Sequence, residues 1–266
     1  MASRRDRLDF SHAKLVVHAI ARFHALSIAY SEKNPDFFAP FEEFFFCDSN
    51  RQNIELFMTP TLKEITAEVN KWEGFGEIAR KLEGLQHTLM DKLLETCTVP
   101  KEFQNVLIHG DCWVNNLLFK YSEAGEPIDL RLVDLQLSRK SSPAIELLYF
   151  FFSSLQNDVR SFRYDDLLHE YYNELRHTTE ELGYSGQLFS FKDLCLEMAR
   201  AVTFGFYAAV SILPIVLADP DDSPDIDSIA ADKENVKLFG KVYETPQFRE
   251  AFEELLPYFD KCGVFD

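Results

Sequence analysis

Apolar residues recur every three or four positions along most of the chain, which is the pattern of amphipathic helices that pack on a core. Asp9 or Ser11 is available as the N-cap of the first helix, and Thr59 followed by Pro60 marks the start of the second. An acidic, proline-containing loop is predicted over residues 219–227. The pattern predicts helices over residues 9–30, 60–72, 75–96, 143–154, 164–182, 190–217 and 245–260.

Short apolar runs interrupt this helical pattern and predict three strands, at residues 106–108, 117–121 and 128–133. Residues 122–127 have the composition of a turn, so the last two strands are expected to pair as a small hairpin. No internal repeat and no linker-like change of composition divides the chain. We therefore expect one unit of the α+β class that is mainly α.

The net charge of the chain disfavours polyanionic partners. With 44 Asp and Glu against 27 Lys and Arg, the formal net charge is −17. Such a charge repels nucleic-acid phosphates and anionic membrane surfaces. We therefore expect no nucleic-acid partner and no membrane association, whereas a local basic pocket for one phosphate stays possible.

The lack of a recognisable targeting signal, together with the cysteine usage, predicts a cytoplasmic location. No apolar run approaches the roughly 18 to 20 residues that span a bilayer, and the charged first residues do not resemble a signal peptide. The five cysteines are odd in number and contain no CxxC pair, which is typical of reduced thiols. The sequence does not predict an oligomeric state.

Two aromatic or histidine-rich features have a structural and a functional interpretation. His12, His18 and His24 step by six residues along the first helix, so they do not converge as metal ligands. The segment 37–57 is rich in phenylalanine and could line a pocket for an apolar substrate. Coverage of the core beside the first helix is the favoured interpretation, because aromatic side chains bury a large area.

Polar residues concentrate where the predicted strands end, in His109–Asn116 and again around Asp134 and Gln136. Asp111 and Asn116 are five residues apart, as are the Asp and Asn of a kinase catalytic loop. Phosphoryl transfer needs a carboxylate that accepts the proton of the attacking hydroxyl and separate oxygen ligands for magnesium. A tight loop presents the first pair to one point, and the hairpin brings Asp134 opposite, so this region predicts a phosphotransferase site.

Two segments, LIHGDCWVNNLLFKY and LVDLQLSRKSSPAIELLYFFFSS, closely resemble the ecdysteroid kinase-like family, also called choline kinase-like (CHK). This family is related to the aminoglycoside phosphotransferases, and FSHAKLVVHAIARFHALS is similar to its helix after the hinge. The resemblance implies a protein kinase-like C-terminal lobe with a small β-hairpin at the catalytic site. It also implies ATP-dependent phosphotransfer to a hydroxyl of an ecdysteroid-, sterol- or choline-like small molecule.

The resemblance assigns roles to individual residues. Asp111 is expected to be the catalytic base, and His109 is expected to brace its loop. Asn116 and Asp134 are the expected magnesium ligands, and with Gln136 they are expected to bind the ATP and Mg²⁺ cofactors. The other residues that match this region are given weaker interpretations: Trp113 packs or touches substrate, Arg139 contacts a phosphate or is solvated, and Glu146 serves the helix dipole.

The resemblance also implies an N-terminal lobe with a phosphate-binding loop and a strand lysine. Only MASRRDRLD precedes the first helix, so residues 1–266 are expected to be the C-terminal lobe alone, with impaired nucleotide binding. Three hypotheses follow: a fragment of a small-molecule kinase, a non-catalytic pseudokinase or binding module, and a metal-dependent phosphohydrolase. The presence of Asp111, Asn116 and Asp134 together favours the first over the second.

Overall fold

The computed structural model describes residues 4–41, 45–98, 100, 103–218 and 241–266. These residues form mostly helices with small antiparallel sheets, as the sequence predicts. Their helices and strands, in chain order, are α1 (Phe10–Lys33), α2 (Arg51–Val69), α3 (Gly76–Leu85), α4 (Leu89–Cys97), β1 (Val106–Ile108), β2 (Leu117–Tyr121), β3 (Pro127–Leu132), β4 (Arg139–Ser141), α5 (Pro143–Ser154), α6 (Asn157–Phe162), α7 (Tyr164–Glu181), α8 (Phe191–Arg200), α9 (Val202–Ser211), α10 (Leu213–Leu217) and α11 (Pro246–Lys261).

The chain divides into two compact units. The first consists of Met1–Phe44 with Cys97–Ala201, and the second of Phe45–Thr96 with Val202–Asp266. In the second unit, Phe46 packs edge-on against Phe204, with ring centroids 5.4 Å apart. Phe46 is therefore a core residue of the second unit, whereas the predicted packing beside the first helix is seen at Phe37, whose ring centroid lies 5.1 Å from that of Tyr30 on α1. Part of the phenylalanine-rich segment and the acidic loop at 219–227 lie outside the described residues.

Helix α1 is the long central element of the first unit. It begins at the predicted cap, because the Asp9 side chain accepts a hydrogen bond from the backbone N–H of His12 at 3.0 Å. Its apolar face packs against α7, and at the margin of this contact Glu170 accepts from Lys14 at 2.7 Å. The histidines on α1 contact different partners, as their spacing predicts.

Two antiparallel strand pairs form the β-structure of the first unit. Strands β2 and β3 form the predicted hairpin, with Leu117 opposite Leu132. Strand β1 pairs with β4, which the sequence did not predict, and this pairing sets Ile108 opposite Arg139. Since β4 has only three residues and the sequence RKS, it lacks an apolar pattern that could identify it. Its pairing brings the chain after the hairpin back beside the end of β1.

Several predicted helix boundaries are wrong. Helix α2 begins at Arg51 and contains Pro60, so this proline does not start a helix. The helical turns before Pro60 carry the buried side chains of Ile54 and Met58. The segment predicted as one helix over 75–96 is two helices, α3 and α4, and the segment 190–217 contains α8, α9 and α10. The breaks within 190–217 fall at the apolar residues Ala201 and Ile212, so periodicity alone does not mark them, whereas the break between α3 and α4 falls on three polar residues, 86–88.

No single helix in the described part of the chain is long and apolar enough to cross a membrane. One bent pair of consecutive helices has sufficient length and apolar character for that purpose.

Candidate functional site

The predicted catalytic residues lie in the loop that follows β1, here called the HGD loop (residues 109–116). The Asn116 side chain folds back across this loop and donates from Nδ2 to Asp111 Oδ2 at 2.8 Å and to the Asp111 carbonyl at 2.9 Å. Asn116 is buried and Asp111 is partly exposed. The structure therefore brings together the two residues whose spacing suggested a phosphotransferase loop.

A tyrosine that sequence reasoning missed contacts the same carboxylate. The hydroxyl of Tyr149, on α5, donates to Asp111 Oδ1 at 2.6 Å. Each carboxylate oxygen of Asp111 thus accepts a hydrogen bond from a different side chain. The signal that could have found Tyr149 is its position three residues after Glu146, on the same face of a helix.

Gly110 allows the HGD loop to pass very close to the chain that leads into β4. Its φ is +87°, and a Cβ atom at this position would lie 2.1 Å from the Leu137 carbonyl oxygen. Arg139 donates from Nη1 to that same carbonyl at 3.0 Å and is only 7% exposed. The prediction of a solvated Arg139 is therefore wrong, because the side chain is buried beside Gly110.

His109 connects the HGD loop to the end of the hairpin. Its Nε2 lies 2.8 Å from the Val133 carbonyl, and its Nδ1 lies 3.3 Å from the backbone nitrogen of Asp111. A carbonyl can only accept, so Nε2 carries the proton and Nδ1 accepts from the Asp111 N–H. His109 thereby contacts both the backbone of Asp111 and the residue that precedes Asp134.

Glu146 does more than the favourable interaction with a helix dipole that was expected of it. This carboxylate is 2% exposed and accepts from the backbone N–H groups of His109 at 2.8 Å and Gly110 at 2.9 Å. The fully buried ring of His24, on α1, donates to it from Nε2 at 3.0 Å. His24 in turn contacts the hydroxyl of Tyr171, on α7, at 2.8 Å.

These contacts determine how the buried groups titrate. Burial alone would raise the pKa of Glu146, but the hydrogen bond from His24, the electrostatic interactions with His24 and His109 and the backbone bond from His109 outweigh it. The pKa of Glu146 is therefore lowered. Burial, with a smaller contribution from the Glu146 charge, raises the pKa of Tyr171 well above its ordinary value. Tyr171 consequently remains a neutral phenol beside an ionised carboxylate.

Two further residues of the HGD loop are packing residues. Burial, together with the charges of Glu146 and Asp111, raises the pKa of Cys112 well above its ordinary value, so its thiol is not an activated nucleophile. Trp113 is 4% exposed, and of its two interpretations the structure supports packing.

Asp134 follows β3, and the hairpin places it beside Asn116. The Val133 N–H donates to the Asn116 carbonyl at 3.1 Å, so the next residue, Asp134, begins close to the end of the HGD loop. Asp134 is exposed and has a left-handed backbone with φ +68° and ψ +64°. Gln136 is also exposed, and its Nε2 lies 3.5 Å from Asp134 Oδ2. Residues in such a sparsely populated backbone region cluster at functional sites.

The two predicted metal ligands fit a magnesium ion that is bound together with a nucleotide. Asn116 directs its Nδ2 at Asp111 and leaves Oδ1 without a hydrogen bond to the described residues. That amide oxygen and the exposed Asp134 carboxylate are hard oxygen donors, and Mg²⁺ is usually bound by one or two carboxylates plus substrate phosphates. Within the described ranges, no group of three or more His, Cys, Asp or Glu could hold a metal ion without such help.

Comparison with known proteins identifies a family for most of the chain. Residues 1–184 match the ecdysteroid kinase-like family, and the matched stretch contains both α1 and the whole of the site described above. It covers 184 of the 266 residues, which is more than half of the chain. No curated protein matches the chain.

Proposed function

Because the chain belongs to the ecdysteroid kinase-like family, we propose that it is an ATP-dependent kinase of small molecules. The acceptor is a hydroxyl of an ecdysteroid-, sterol- or choline-like compound. The observation that carries the proposal is the carboxylate of Asp111, which is fixed by Asn116 and Tyr149 in a loop that also presents the free amide oxygen of Asn116. Asp134 follows Val133, whose N–H donates to the Asn116 backbone carbonyl, so it begins close to the end of the same loop.

Asp111 acts on the attacking hydroxyl of the acceptor. Its carboxylate accepts the hydroxyl proton while the hydroxyl oxygen bonds to the γ-phosphorus of ATP. The bond from that phosphorus to the bridging oxygen breaks, and ADP leaves with the electron pair. Asn116 Oδ1 and Asp134 would hold a magnesium ion, which neutralises charge on the nucleotide phosphates when bound. The carboxylate of Asp111 then releases its proton to solvent.

Phosphate transfer tests the proposal directly. The chain is incubated with γ-labelled ATP, magnesium and a panel of sterols and amino alcohols, and labelled products are separated and counted. Asp111→Asn is expected to lower transfer by about 10²- to 10⁴-fold, because an amide cannot accept the hydroxyl proton. Asp129→Asn is the matched control, since Asp129 lies on β3 and contacts Arg131 and Leu130 instead of the HGD loop.

The outcomes separate the hypotheses. Transfer that depends on Asp111 and is retained in Asp129→Asn supports a kinase. Equal transfer by wild type and Asp111→Asn would contradict the role of the base. Binding of a panel member by a wild-type chain that also binds ATP with magnesium, without transfer to any acceptor, would overturn the kinase proposal in favour of a binding module.

A further inference from the structure

Helix α5 carries a row of polar side chains through an otherwise apolar, wholly buried environment. Every residue from Pro143 to Ser154 is buried. The side chains that can form hydrogen bonds on this helix are Glu146, Tyr149, Ser153 and Ser154. Relative to the first, they stand at i, i+3, i+7 and i+8, the spacing that puts residues on one face of a helix. We call this row the polar stripe of α5.

Residues along the polar stripe contact successive residues of the HGD loop, in the same order along both segments. Glu146 accepts from the first two backbone N–H groups of the loop, as described above. Tyr149 then donates to the side chain of Asp111, and Ser154 Oγ accepts from the backbone N–H of Val114 at 3.0 Å. A buried polar group without a hydrogen-bond partner is costly. The HGD loop supplies partners for Glu146, Tyr149 and Ser154, and these side chains in turn hold the loop in position.

We propose that Tyr149 is a positioning residue, which holds the Asp111 carboxylate in the orientation that receives the proton of the acceptor. This inference rests on the proposed function, because it assigns to Tyr149 an effect on the phosphate-transfer step. It differs from the role of Glu146, which contacts only the backbone of the loop. Tyr149 is the member of the stripe that contacts the carboxylate itself.

The need for two donors follows from the freedom of an aspartate side chain. Its terminal torsion is broad, so one hydrogen bond from Asn116 to Oδ2 limits the rotation of the planar carboxylate only loosely. The 2.6 Å bond from Tyr149 fixes Oδ1 as well, and the tyrosine is only 7% exposed, which restricts its own movement. A carboxylate oxygen has two lone pairs, so each oxygen can still accept from a substrate hydroxyl.

Positioning and base strength predict opposite results for removal of the Tyr149 hydroxyl. A donor to a carboxylate stabilises the charged form and so weakens it as a base. If Tyr149 acted only in this way, Tyr149→Phe would speed the transfer step. If it positions the carboxylate, the same variant slows transfer, since a small misplacement of a reacting group costs up to about 10²-fold. The sign of the change therefore discriminates between the two.

The kinetic test compares Tyr149→Phe with the wild-type chain in the labelled-phosphate assay. We expect kcat to fall by about 10- to 100-fold, with KM for ATP and for the acceptor unchanged, because the Tyr149 hydroxyl donates to Asp111, which is the proposed base and not an expected magnesium ligand. Ratios of rates suffice, so slow turnover can be used with long incubations. Tyr172→Phe is the matched control, because it removes a hydroxyl that donates to the Phe189 carbonyl at 3.0 Å.

A second measurement is independent of activity. Urea unfolding of wild type, Tyr149→Phe, Asp111→Ala and the double variant forms a double-mutant cycle. Tyr149→Phe is expected to lower the folding equilibrium constant about tenfold in wild type, since a hydrogen bond to a charged group is lost. It is expected to change that constant less than about threefold with Asp111→Ala, where the hydroxyl has already lost its acceptor.

The two measurements distinguish failure of this inference from failure of the proposed function. A lower kcat in Tyr149→Phe, with unchanged KM, supports positioning. If wild type is active and Tyr149→Phe has an unchanged or raised kcat, the positioning role of Tyr149 is overturned, while the kinase proposal stands. If the unfolding effects are coupled and the wild-type chain binds ATP with magnesium but transfers no phosphate, the kinase proposal is overturned, while the contact that orients Asp111 is supported. Equal effects of Tyr149→Phe in both unfolding backgrounds would overturn that contact.

Discussion

Asp111 and Asp134, the two acidic residues of the proposed site, stand on loops that the rest of the protein supports to very different degrees. The HGD loop is bound through its backbone to the buried Glu146 and through Asp111 to Asn116 and Tyr149. Residues 134–138, here called the Asp134 loop, are mostly exposed. The Asp134 carboxylate lies 3.5 Å from its neighbour Gln136.

This difference matches the demands of the two proposed roles. A proton acceptor acts within one encounter, so its geometry has to be fixed before the substrate arrives. A magnesium ligand in a kinase shares the ion with phosphate oxygens and waters, so the nucleotide itself can complete the geometry. We infer that the buried network is concentrated on the base and its loop, which includes Asn116, whereas Asp134, the second proposed metal ligand, is left accessible.

The largest effect is expected from breaking the buried end of the network with Glu146→Gln. The variant removes the charge that faces His24 and turns an amide NH₂ toward a backbone N–H, so we expect a loss of about 3 to 5 kcal/mol in the free energy of unfolding. Urea denaturation measures it. Glu253→Gln, which removes an exposed i,i+4 pair with Arg249, should cost under about 0.5 kcal/mol. Similar losses in both variants would contradict the importance of the network.

Gly110→Ala should have the next largest effect, because it forces the HGD loop away from the Leu137 carbonyl. The added Cβ meets a backbone atom at 2.1 Å and the residue keeps a positive φ, so we expect a loss of roughly 2 to 4 kcal/mol. Gly125→Ala is the control, since its φ is +83° and nothing lies within 4 Å of the added carbon. If thermal or urea unfolding shows a larger loss of stability in Gly125→Ala than in Gly110→Ala, the proposed clash at Gly110 is refuted.

The sequence predicted the part of the site that is local in the chain. A strand, a tight loop, a hairpin and the residue after it lie between residues 106 and 134, and short-range spacing was enough to bring Asp111, Asn116 and Asp134 together as a hypothesis. The predicted cap at Asp9 is also confirmed, since its side chain accepts from the His12 N–H. Such contacts depend on residues only a few positions apart.

The parts that the sequence did not predict depend on distant partners. His24 and Glu146 are 122 residues apart, and on its own helix His24 has only the pattern of a buried position. Tyr149 in a run of aromatic residues has the pattern of core packing, and its bond to Asp111 spans 38 residues. Glu146 could be explained by the helix dipole alone. Periodicity identifies a buried face but does not name the group that faces it.

Acid should weaken the support of the HGD loop in a way that identifies Glu146. Its folded pKa lies below the ordinary value of 4.5, so its contribution to stability is fully present above that pH and is lost as pH falls toward the folded pKa. The groups that face it are His24 on α1 and His109, with Tyr171 on α7 behind His24. We expect the unfolding free energy of wild type to fall more steeply below about pH 4.5 than that of Glu146→Gln.

The comparison of the two proteins isolates this one carboxyl. Other carboxyls with lowered pKa values are present in both proteins, among them Asp9, Asp129 and Glu170. Their loss with acid is therefore common to the two curves and cancels in the difference. Parallel curves from pH 6 to pH 3 would show that the ionisation of Glu146 does not contribute to stability.

Asp134→Gly should have a small effect on stability, and in the opposite direction. Glycine adopts a φ of +68° without the steric penalty of a Cβ, so we expect a gain of up to about 1 kcal/mol in the free energy of unfolding. Asp129→Gly, in strand β3, is the control and should lose stability, because it removes a side chain that bonds to Arg131. A clear loss in Asp134→Gly would mean that the Asp134 loop depends on contacts of its aspartate.

The smallest expected effect is the response to magnesium alone. The proposed ligands, Asn116 Oδ1 and Asp134, would supply only two side-chain groups, and Mg²⁺ gives up its waters reluctantly, so calorimetry with MgCl₂ should show no binding in the micromolar range. ATP supplies the missing oxygens, so wild type should bind ATP more tightly with magnesium than with a chelator. Asp134→Gly should reduce that difference because one ligand is lost. Micromolar affinity for MgCl₂ alone would contradict a shared site, and an unchanged difference in Asp134→Gly would remove Asp134 from it.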